Sequence, residues 1–470
     1  MRITNMMSAN KMLLNITKNT NRVDKLYTQL ATGKKIQLAS EDPIIASRAL
    51  KFRTAYSDTS QYIRNTEQGM AWMETTSQGF TNLEATMANI RERLVQGASD
   101  TYDFNDRQKL ASEIQAYYNQ IGSELNISYA GSYVFSGYRT DKPPTLLAND
   151  AALSYTGIEQ SFKPADIENT TAYTKVDADS PVVTTVNRIK LAYTGADLPA
   201  FTPPFPAPIT VTEMNMSIDP DRRIAYNPGA NDVYYIRETG ELILGSGAMT
   251  EINNNPTTPI TVQYDKTGFA AGDLNPEIYF TCTDSNGKTF TMDNQNLQYE
   301  FGINTRITIN SLAKDSYTAQ LHSDLRNLLN LVNGIAITPD AQLRDKYSSA
   351  PYNLSGDELN KAIADQIGDE TKKYRGVLHD AYSSMLKLVD GHISTVSREE
   401  TQLGSRMNRI ELIQNRLTED RLSFYSLMSD NEDADYAEVS MYLATAEYVY
   451  TASLKAGSSI IQQSLVDFIR

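Results

Sequence analysis

Proline placement is the feature that most constrains how this 470-residue chain can fold. Of its 17 prolines, 16 lie between Pro143 and Pro351, only Pro43 precedes that stretch, and none follows it. Because proline lacks an N–H and clashes with the preceding helical turn, long helices are open only to the two ends of the chain. We therefore predict an α+β protein, in which a long α-helical coiled-coil or bundle shaft built from both termini carries a β-rich inserted outer domain.

Apolar residues near the N-terminus recur at alternating steps of three and four, the seam of a heptad repeat. After a break around Gly33, a second helix is expected to begin at Asp42, which can cap the free N–H groups, with Pro43 at its first position. Asn105 and Gln108 predict a capping box that starts a third helix. The first seam comprises Met6, Ala9, Leu13, Ile16, Thr20, Val23, Tyr27 and Leu30.

The C-terminal end shows the same periodicity over a longer stretch. It predicts one helix from about Asp357 to Met428, on the order of 100 Å long at about 1.5 Å per residue. Asp435 and Glu438 predict a second capping box that starts the last helix. Helices of this length need partner helices, so we expect a bundle. Its core is predicted to include Ile63, Met70, Phe80, Ile393, Leu403, Ile410 and Leu417.

The middle of the chain carries strand patterns separated by turn residues. Asn286-Gly287 is the strongest hairpin signal, and Gly240 marks another turn. A short helix is expected from Leu321 to Val332. The predicted strands are Val233–Ile236, Leu242–Leu244, Ile278–Cys282, Thr289–Met292, Leu297–Phe301 and Ile303–Ile309.

These patterns divide the chain into three parts. Residues 1–35 and 436–470 are predicted to be terminal helices, residues 36–140 and 357–435 a helical bundle, and residues 141–356 the β-rich outer domain. Two short helices alone in water are only marginally stable, because the conformational entropy lost in ordering them outweighs the stabilisation from a single apolar seam. We therefore expect the terminal helices to be mobile in a monomer and ordered on assembly. The predicted assembly contacts are Leu13, Ile16, Val23, Leu30, Leu443, Tyr450, Leu454, Ile461 and Leu465.

Few residues are available for catalysis or metal binding. Cys282 is the only cysteine, and the three histidines form no His-Glu-x-x-His pattern. The acidic stretch Asn431–Asp435 lacks the glycine of a calcium loop, so it is interpreted as helix-capping acid. Lys34 and Lys35 are interpreted as a solvated bend, with pairing to an acidic neighbouring subunit as the alternative. We predict no catalytic, cofactor or metal site, and no enzyme.

Charge and hydropathy exclude two further classes of function. The formal net charge of −14 disfavours a nucleic-acid partner, since phosphates would be repelled. No apolar run approaches the roughly 18 residues of a membrane span, and the N-terminus lacks the apolar core of a cleavable signal peptide. We expect a protein without membrane insertion, exported by a route that does not read such a signal.

Both ends of the chain resemble one known family. Met1–Thr4, followed by a polar-apolar helix and Leu30–Ser47, resembles the N-terminal region of the flagellin family. Glu432–Val439, with the Ala/Ser-rich helix after it, resembles the C-terminal signature of the same family. The resemblance covers about residues 1–140 and 370–470 and leaves the insert unexplained.

Within that family, several features resemble subunits of the hook–filament junction. These are the Met-Arg-Ile-Thr start, Ser40–Pro43, Tyr133–Tyr138 leading into Asp141, and the lack of the Asp-Asp-Ala-Ala-Gly run of filament subunits. The resemblance implies a structural adaptor in the extracellular flagellum, arranged as a ring of copies between hook-associated protein 1 and flagellin. It also implies a cytoplasmic export chaperone and secretion through the flagellar type III export apparatus.

Three alternatives stay open from sequence. The chain could be the filament subunit, flagellin itself. The insert could carry a surface hydrolase, although no motif for one is present. The third alternative is a cytoplasmic coiled-coil scaffold.

Overall fold

The computed structural model describes residues 5–466 apart from 203, 204, 216, 220, 221, 257, 258 and 294, and describes side chains between residues 7 and 458. The chain divides into two compact units. Unit 1 is formed by Met1–Glu67, Glu300–Thr305 and Ile410–Arg470, and unit 2 by Gln68–Tyr299 and Arg306–Arg409. The predicted α+β class is confirmed, with long helices from both ends and a β-rich middle. The three-part division made from sequence stays a prediction.

Helices occupy both ends of the chain and punctuate its middle. Asp42 caps the second long helix as predicted, because its Oδ1 accepts from the backbone N–H groups of Ile44 and Ile45. The helices are α1 (Asn5–Thr32), α2 (Pro43–Ala98), α3 (Phe104–Leu125), α4 (Ser246–Asn254), α5 (Pro276–Tyr279), α6 (Ala313–Ser316), α7 (Ala319–Gly334), α8 (Asp340–Ser348), α9 (Gly356–Glu432) and α10 (Tyr436–Val466), with a 3-10 turn at Pro164–Asp166.

In unit 2, α2 and α9 run antiparallel and form the helical core together with α3. Thr81 donates to Glu400 at 3.0 Å, and further along the pair Arg91 binds Asp390. Gly97 is required near the end of α2, because a Cβ there would lie inside the ring of Tyr382. The large apolar residues of α2 that are at most 1% exposed are Met73, Phe80, Leu83, Met87, Ile90 and Leu94.

A buried arginine fixes the turn from α2 into α3. The Arg107 guanidinium donates to the carbonyl oxygens of Gly97 at 2.9 Å, Ser99 at 3.1 Å and Arg375 at 3.1 Å. Tyr382 in turn donates to the Arg107 carbonyl at 2.8 Å. Because three carbonyls accept hydrogen bonds from the buried guanidinium, these bonds hold α2, α3 and α9 in register.

The strands of unit 2 form two five-stranded sheets. The first has the order β12-β11-β3-β10-β6 and is antiparallel, with β3 and β10 as its long central pair. The second has the order β4-β5-β9-β8-β7, in which only β7 is parallel to its neighbour. The strands are β1 (Ser128–Tyr129), β2 (Ser132–Tyr133), β3 (Asp150–Phe162), β4 (Glu168–Thr174), β5 (Val182–Lys190), β6 (Ala200–Thr202), β7 (Thr210–Met214), β8 (Asp232–Ile236), β9 (Glu241–Leu244), β10 (Ile260–Phe269), β11 (Thr281–Asp284), β12 (Thr289–Phe290), β13 (Gln298–Gly302) and β14 (Thr305–Thr308).

Two local predictions are wrong. The strand expected over Ile278–Cys282 begins instead at Thr281, because Asn275 caps a short helix and Pro276 occupies its first position. The start of α3 is set by Asp103, whose side chain accepts from Asp106 N at 2.8 Å, rather than by a capping box at Asn105. Both errors arise where a nearby residue outcompetes the one that the pattern selected.

The predicted bundle core is placed residue by residue as follows. Phe80, Leu403 and Ile410 are fully buried, and Ile63 and Leu417 are buried. Met70 and Ile393 are half-buried.

Candidate functional site

The candidate site of unit 1 is the antiparallel pair formed by α1 and α10. Asn19 donates to Ser453 at 2.7 Å along the middle of the pair. At one end Gly33 lies against Tyr436, and at the other Gly457 lies against Ile16. As residue numbers rise along α1, those of their partners on α10 fall, so the first and last long helices of the chain pack antiparallel.

A buried seam joins the two helices. Its cluster consists of Val23 and Leu26 of α1 with Val439, Leu443 and Ala446 of α10, and Leu30 and Tyr450 pack against it. These positions follow heptad spacing on both helices. At Gly457 the helices approach so closely that a Cβ would lie 3.2 Å from Cδ1 of Ile16.

The seam differs from the predicted one on one flank. Ile16, Val23 and Leu30 are shared, but the second row of α1 contains Leu26, whereas the predicted Tyr27 is 49% exposed. Both neighbouring positions are large and apolar, so periodicity alone supports either row. The prediction that Tyr27 belongs to the seam is therefore wrong for the single chain.

A charged cluster fixes the link between α9 and α10 to the end of α1. The buried Glu432 carboxylate accepts two hydrogen bonds from Arg53, at 2.7 and 2.5 Å, and one from Lys34 at 3.4 Å. Lys34 also binds Asp433 at 2.6 Å. Backbone bonds from Lys35 N to Glu432 O, at 2.7 Å, and from Ala434 N to Gly33 O, at 2.8 Å, bring the two segments together.

This cluster corrects the interpretation of Lys34 as part of a solvated bend. Its partners belong to its own chain, and they are two acids of the stretch Asn431–Asp435. Asp435 does cap α10, as predicted, because its Oδ1 accepts from the N–H groups of Ala437 and Glu438. Within the acidic stretch, Asp435 therefore caps α10, whereas Glu432 and Asp433 form ion pairs inside the chain.

The electrostatics of the cluster favour its charged form. The hydrogen bonds from Arg53 lower the pKa of Glu432, with the positive charges of Arg53 and Lys34 adding to the effect and burial opposing it. The hydrogen bond from Lys34 lowers the pKa of Asp433, with Ser429 contributing. The hydrogen bond to Asp433 raises the pKa of Lys34. All four groups are therefore ionised at neutral pH.

Beside the seam, the pair carries large apolar residues that stay exposed among the described residues. On α10 they lie on the side opposite α1, at Met441 and Tyr448, which is 76% exposed. On α1, Leu13 is 55% exposed and shares its flank with Tyr27. We call these residues the open stripes; they comprise Leu13 and Tyr27 on α1 and Met441, Tyr442, Tyr448 and Val449 on α10.

The predicted contact residues are distributed between the seam and its edges. Val23 and Leu443 are buried in the seam, and Ile16, Leu30 and Tyr450 are half-buried against it. Leu454 is 42% exposed at its edge. Ile461 and Leu465 have side chains outside the described residues. The sequence analysis missed Leu26, Val439, Ala446 and Gly457, although heptad spacing from Leu443 would have selected Val439, Ala446 and Gly457.

Other candidate chemistry is not assembled in the described part of the chain. No group of three metal-ligating side chains comes together there. Cys282 is buried, and burial raises the pKa of its thiol to about 12, so it is held as an unreactive thiol. No helix among the described residues is long and apolar enough to cross a membrane.

Both ends of the chain match known protein families. Residues 3–140 match the bacterial flagellin N-terminal helical region, and residues 386–469 match the bacterial flagellin C-terminal helical region. The two matched segments contain α1, α2, α3 and most of α9 and α10. The two ends of the chain are therefore similar to the terminal helical regions of bacterial flagellin.

The chain is also similar to individual flagellar proteins. The chain is 28% identical over 162 residues to flagellar hook-associated protein 3 of Salmonella typhimurium, covering 34% of this chain and 50% of that protein. It is 28% identical over 145 residues to the protein of the same name from Escherichia coli, covering 31% and 46%. The chain thus spans about half the length of these curated relatives. A flagellin of Salmonella rubislaw is 20% identical over 509 aligned positions, covering 96% of this chain and 94% of the flagellin.

Proposed function

We propose that this chain is a structural, non-enzymatic subunit of the bacterial flagellum that joins the hook to the filament. The proposal is supported by the flagellin-type helical regions at both ends and by the similarity to proteins named hook-associated protein 3. In this role the protein acts by binding its neighbours through two faces, and its β-rich middle forms the outer part of the subunit.

The observation that carries the proposal is the two-sided apolar character of α10. One side packs on α1 through Leu443 and Ala446, and the opposite side presents Met441 and Tyr448 to solvent. A helix that is apolar on two sides needs two partners, and α1 supplies one. We infer that the second partner is another flagellar subunit, and that the predicted contact residues around the seam support this packing.

The partners follow from this role. Copies of the chain form a ring through heterologous contacts. Such contacts produce a closed ring when the rotations from one copy to the next add up to a full turn. One axial face of the ring contacts hook-associated protein 1 and the other contacts flagellin. The subunit reaches its extracellular place through the flagellar type III export apparatus, accompanied by a cytoplasmic chaperone, and its terminal helices become fully ordered only on assembly.

A deletion strain viewed by electron microscopy tests the junction role. We expect hooks to be present, filaments to be absent and flagellin to be shed into the medium, with full recovery on expression of the intact chain. Normal filaments in the deletion strain would contradict the proposal.

A second candidate function is the filament subunit itself. It is favoured by the alignment to flagellin over 96% of this chain, although at only 20% identity. Seeded polymerisation separates the two functions, because a filament subunit elongates seeds without limit, whereas a junction subunit adds to an end and stops. We expect the chain to stop.

A further inference from the structure

A buried ionic cluster joins α7 to the second sheet of unit 2. Lys190 of β5 is 3% exposed, and its ammonium group binds Oδ1 of Asp324 on α7 at 3.0 Å and Oε1 of Glu168 on β4 at 2.7 Å. Asp324 is only 1% exposed. We call this contact of α7 with β4 and β5 the α7–sheet joint. Because one cation binds acids from both sides, the cluster sets how closely α7 packs on the sheet.

The cluster continues across the sheet and contains one acid more than it has bases. Arg188 of β5 binds Oε2 of Glu168 at 3.1 Å and Oε1 of the buried Glu241 on β9 at 2.5 Å. Beyond Glu241, Arg222 and Glu238 line the adjacent cavity and add one charge of each sign. Fully ionised, the five groups from Asp324 to Glu241 carry three negative and two positive charges. An acid at one end of the row is therefore under-compensated.

The hydrogen bonds at the two end acids show which one this is. The Oε2 atom of Glu241 accepts from the hydroxyls of Tyr226 and Thr239, each at 2.9 Å. The Oδ1 atom of Asp324 accepts from Lys190 and from Gln320 at 2.9 Å, but its Oδ2 atom is buried without a partner among the described residues. A buried carboxylate oxygen without a donor is costly, and protonation removes its charge. The excess proton of the cluster therefore belongs on Asp324.

The electrostatics of the three acids agree with this assignment. Burial raises the pKa of Asp324 to about 6, with Lys190 opposing the effect and Glu168 adding to it. At Glu168 burial opposes ionisation, but the charges of Lys190 and Arg188 outweigh it and lower the pKa. The pKa of Glu241 is lowered in the same way, against burial, by Arg188 and by the hydroxyl donors. Asp324 is therefore the acid of the cluster that gains a proton first.

The other elements around α7 contribute two histidines and two cations. Burial lowers the pKa of His322, which lies on α7 against Tyr118 of α3, well below its usual value. Burial also lowers the pKa of His392 of α9, to about 4. Arg326 of α7 donates to two backbone carbonyls just after β5, and Lys387 of α9 is exposed on the wall of a second cavity. Both histidines therefore stay neutral between neutral pH and mild acid.

From this geometry we propose that Asp324 is a proton-dependent switch that controls how tightly α7 packs on the sheet. In mild acid the open oxygen of its carboxyl binds a proton, the charges of the cluster balance, and the α7–sheet joint is tight. At neutral pH the proton leaves to water, one buried negative charge is left uncompensated, and the joint opens more often. The switch lies in the β-rich middle of a single chain, so it does not depend on the proposed assembly role.

Hydrogen exchange of the full-length chain at about pH 7.5 and about pH 5 tests the switch, with rates corrected for the intrinsic effect of pH. Since the pKa of Asp324 in the folded chain lies above the unfolded value of about 3.9, its contribution is complete below that value and is lost as the pH rises through the folded one. We expect the amides of α7, β4 and β5 to be protected about tenfold more at the lower pH. Equal or lower protection there would overturn the proposal.

An isosteric variant assigns the effect to one residue. Asp324→Asn keeps the shape of the side chain and its Oδ1 acceptor but carries no charge at either pH. We expect the α7–sheet joint of this variant to be as protected at neutral pH as that of the parent is in acid, with the tenfold dependence on pH gone. Asp345→Asn, at an exposed acid of α8, is the matched control and keeps the dependence. A dependence that persists in Asp324→Asn would show that another group binds the proton.

Carboxyl NMR of the parent chain provides a test that needs no variant and so stays decisive if Asp324→Asn folds poorly. Aspartate is labelled with ¹³C at Cγ, which excludes signals from glutamate, and the chain is titrated from about pH 7.5 to about pH 4.5. We expect one aspartate to titrate near pH 6 while the exchange of α7 slows over the same range. If no aspartate titrates above about pH 5, the proposal is wrong.

Discussion

The α2–α9 pair of unit 2 and the α1–α10 pair of unit 1 have the same antiparallel design but differ in how completely they bury their apolar residues. In the first pair Phe80, Leu94 and Leu403 are fully buried. In the second, Val23, Leu26, Val439 and Leu443 remain 7–9% exposed, and the open stripes lie beside them. The first pair is complete in one chain, whereas the second is complete only along its seam.

The difference has an energetic consequence. Full burial of a large apolar side chain stabilises the folded state by about 1.5–3 kcal/mol, and the core of α2, α3 and α9 buries many such side chains. A single seam of two helices buries only a few, and isolated helix pairs are marginal in water. The charged cluster at Glu432 therefore has a larger relative share in holding unit 1 than any surface ion pair has in unit 2. We therefore expect substitutions in the two regions to affect stability in different ways.

The largest loss of stability is expected from Gly97→Val. The new side chain would occupy the space of the Tyr382 ring, whose hydroxyl holds the Arg107 carbonyl. We expect a loss of about 3 kcal/mol or more in the free energy of unfolding, measured by urea denaturation. Gly404→Ala on α9, where a Cβ meets open space, is the control and should stabilise by about 0.5–1 kcal/mol. A tolerated valine at position 97 would contradict the tight α2–α9 contact.

The next effect is expected from Glu432→Ala, which leaves Arg53 and Lys34 without their buried partner. We expect a loss of about 2–3 kcal/mol, confined to unit 1. Hydrogen exchange should show faster exchange in α1 and α10 and unchanged exchange in the core of α2 and α9. Glu419→Ala, an exposed acid of the same helix, controls for the change of net charge. Equal acceleration in both units would mean that the cluster does not act locally.

A fall in pH should also destabilise the α1–α10 pair before the α2–α9 core. The pKa values of Glu432 and Asp433 are lowered in the folded chain, so their contribution is present above their unfolded pKa values and is lost as the pH falls through the folded values. We expect protection of α1 and α10 to fall below about pH 4, before that of the α2–α9 core. In the Glu432→Ala variant this acid step should shrink. Simultaneous loss in both regions would contradict the assignment.

A smaller effect is expected from Gly457→Val at the close approach of α1 and α10. A Cβ already lies 3.2 Å from the flexible end of Ile16, so the added methyl groups must push the helices apart. We expect a loss of about 1–2 kcal/mol and faster limited proteolysis of both terminal helices. Gly457→Ala requires only a slight shift of Ile16, so its free energy of unfolding should be close to that of the parent protein.

Much of the fold was predictable because proline and heptad spacing act over long segments. The confinement of proline to the middle predicted where the long helices lie, and Asp42 and Asp435 marked two helix starts correctly. Short elements were harder to predict, as Ile278 shows: its apolar neighbours suit a strand, but the preceding Asn275-Pro276 begins a helix. Local capping outweighs alternation when an element is only one turn long.

The candidate site was predictable only in part. Periodicity placed Val23 and Leu443 in one seam, but it could not choose between Leu26 and Tyr27, because both suit an apolar row. Lys34 and Glu432 are 398 positions apart, and no local pattern links them. The choice of row depends on which flank the partner helix covers, and that is a property of the folded pair.

The smallest effect on the isolated chain, and the sharpest test of the comparison, is expected from Tyr448→Asp. Tyr448 is 76% exposed on the open stripe of α10, so a charge there should change the free energy of unfolding by less than about 0.5 kcal/mol. In a neighbour contact the same charge would be buried without a partner, and incorporation into flagella should fail. Ser440→Asp, an exposed change on the row that already contains Glu447, is the control and should assemble. Normal incorporation of Tyr448→Asp, alongside failure of Leu454→Asp, would place the neighbour contact at the seam edge instead of the open stripe.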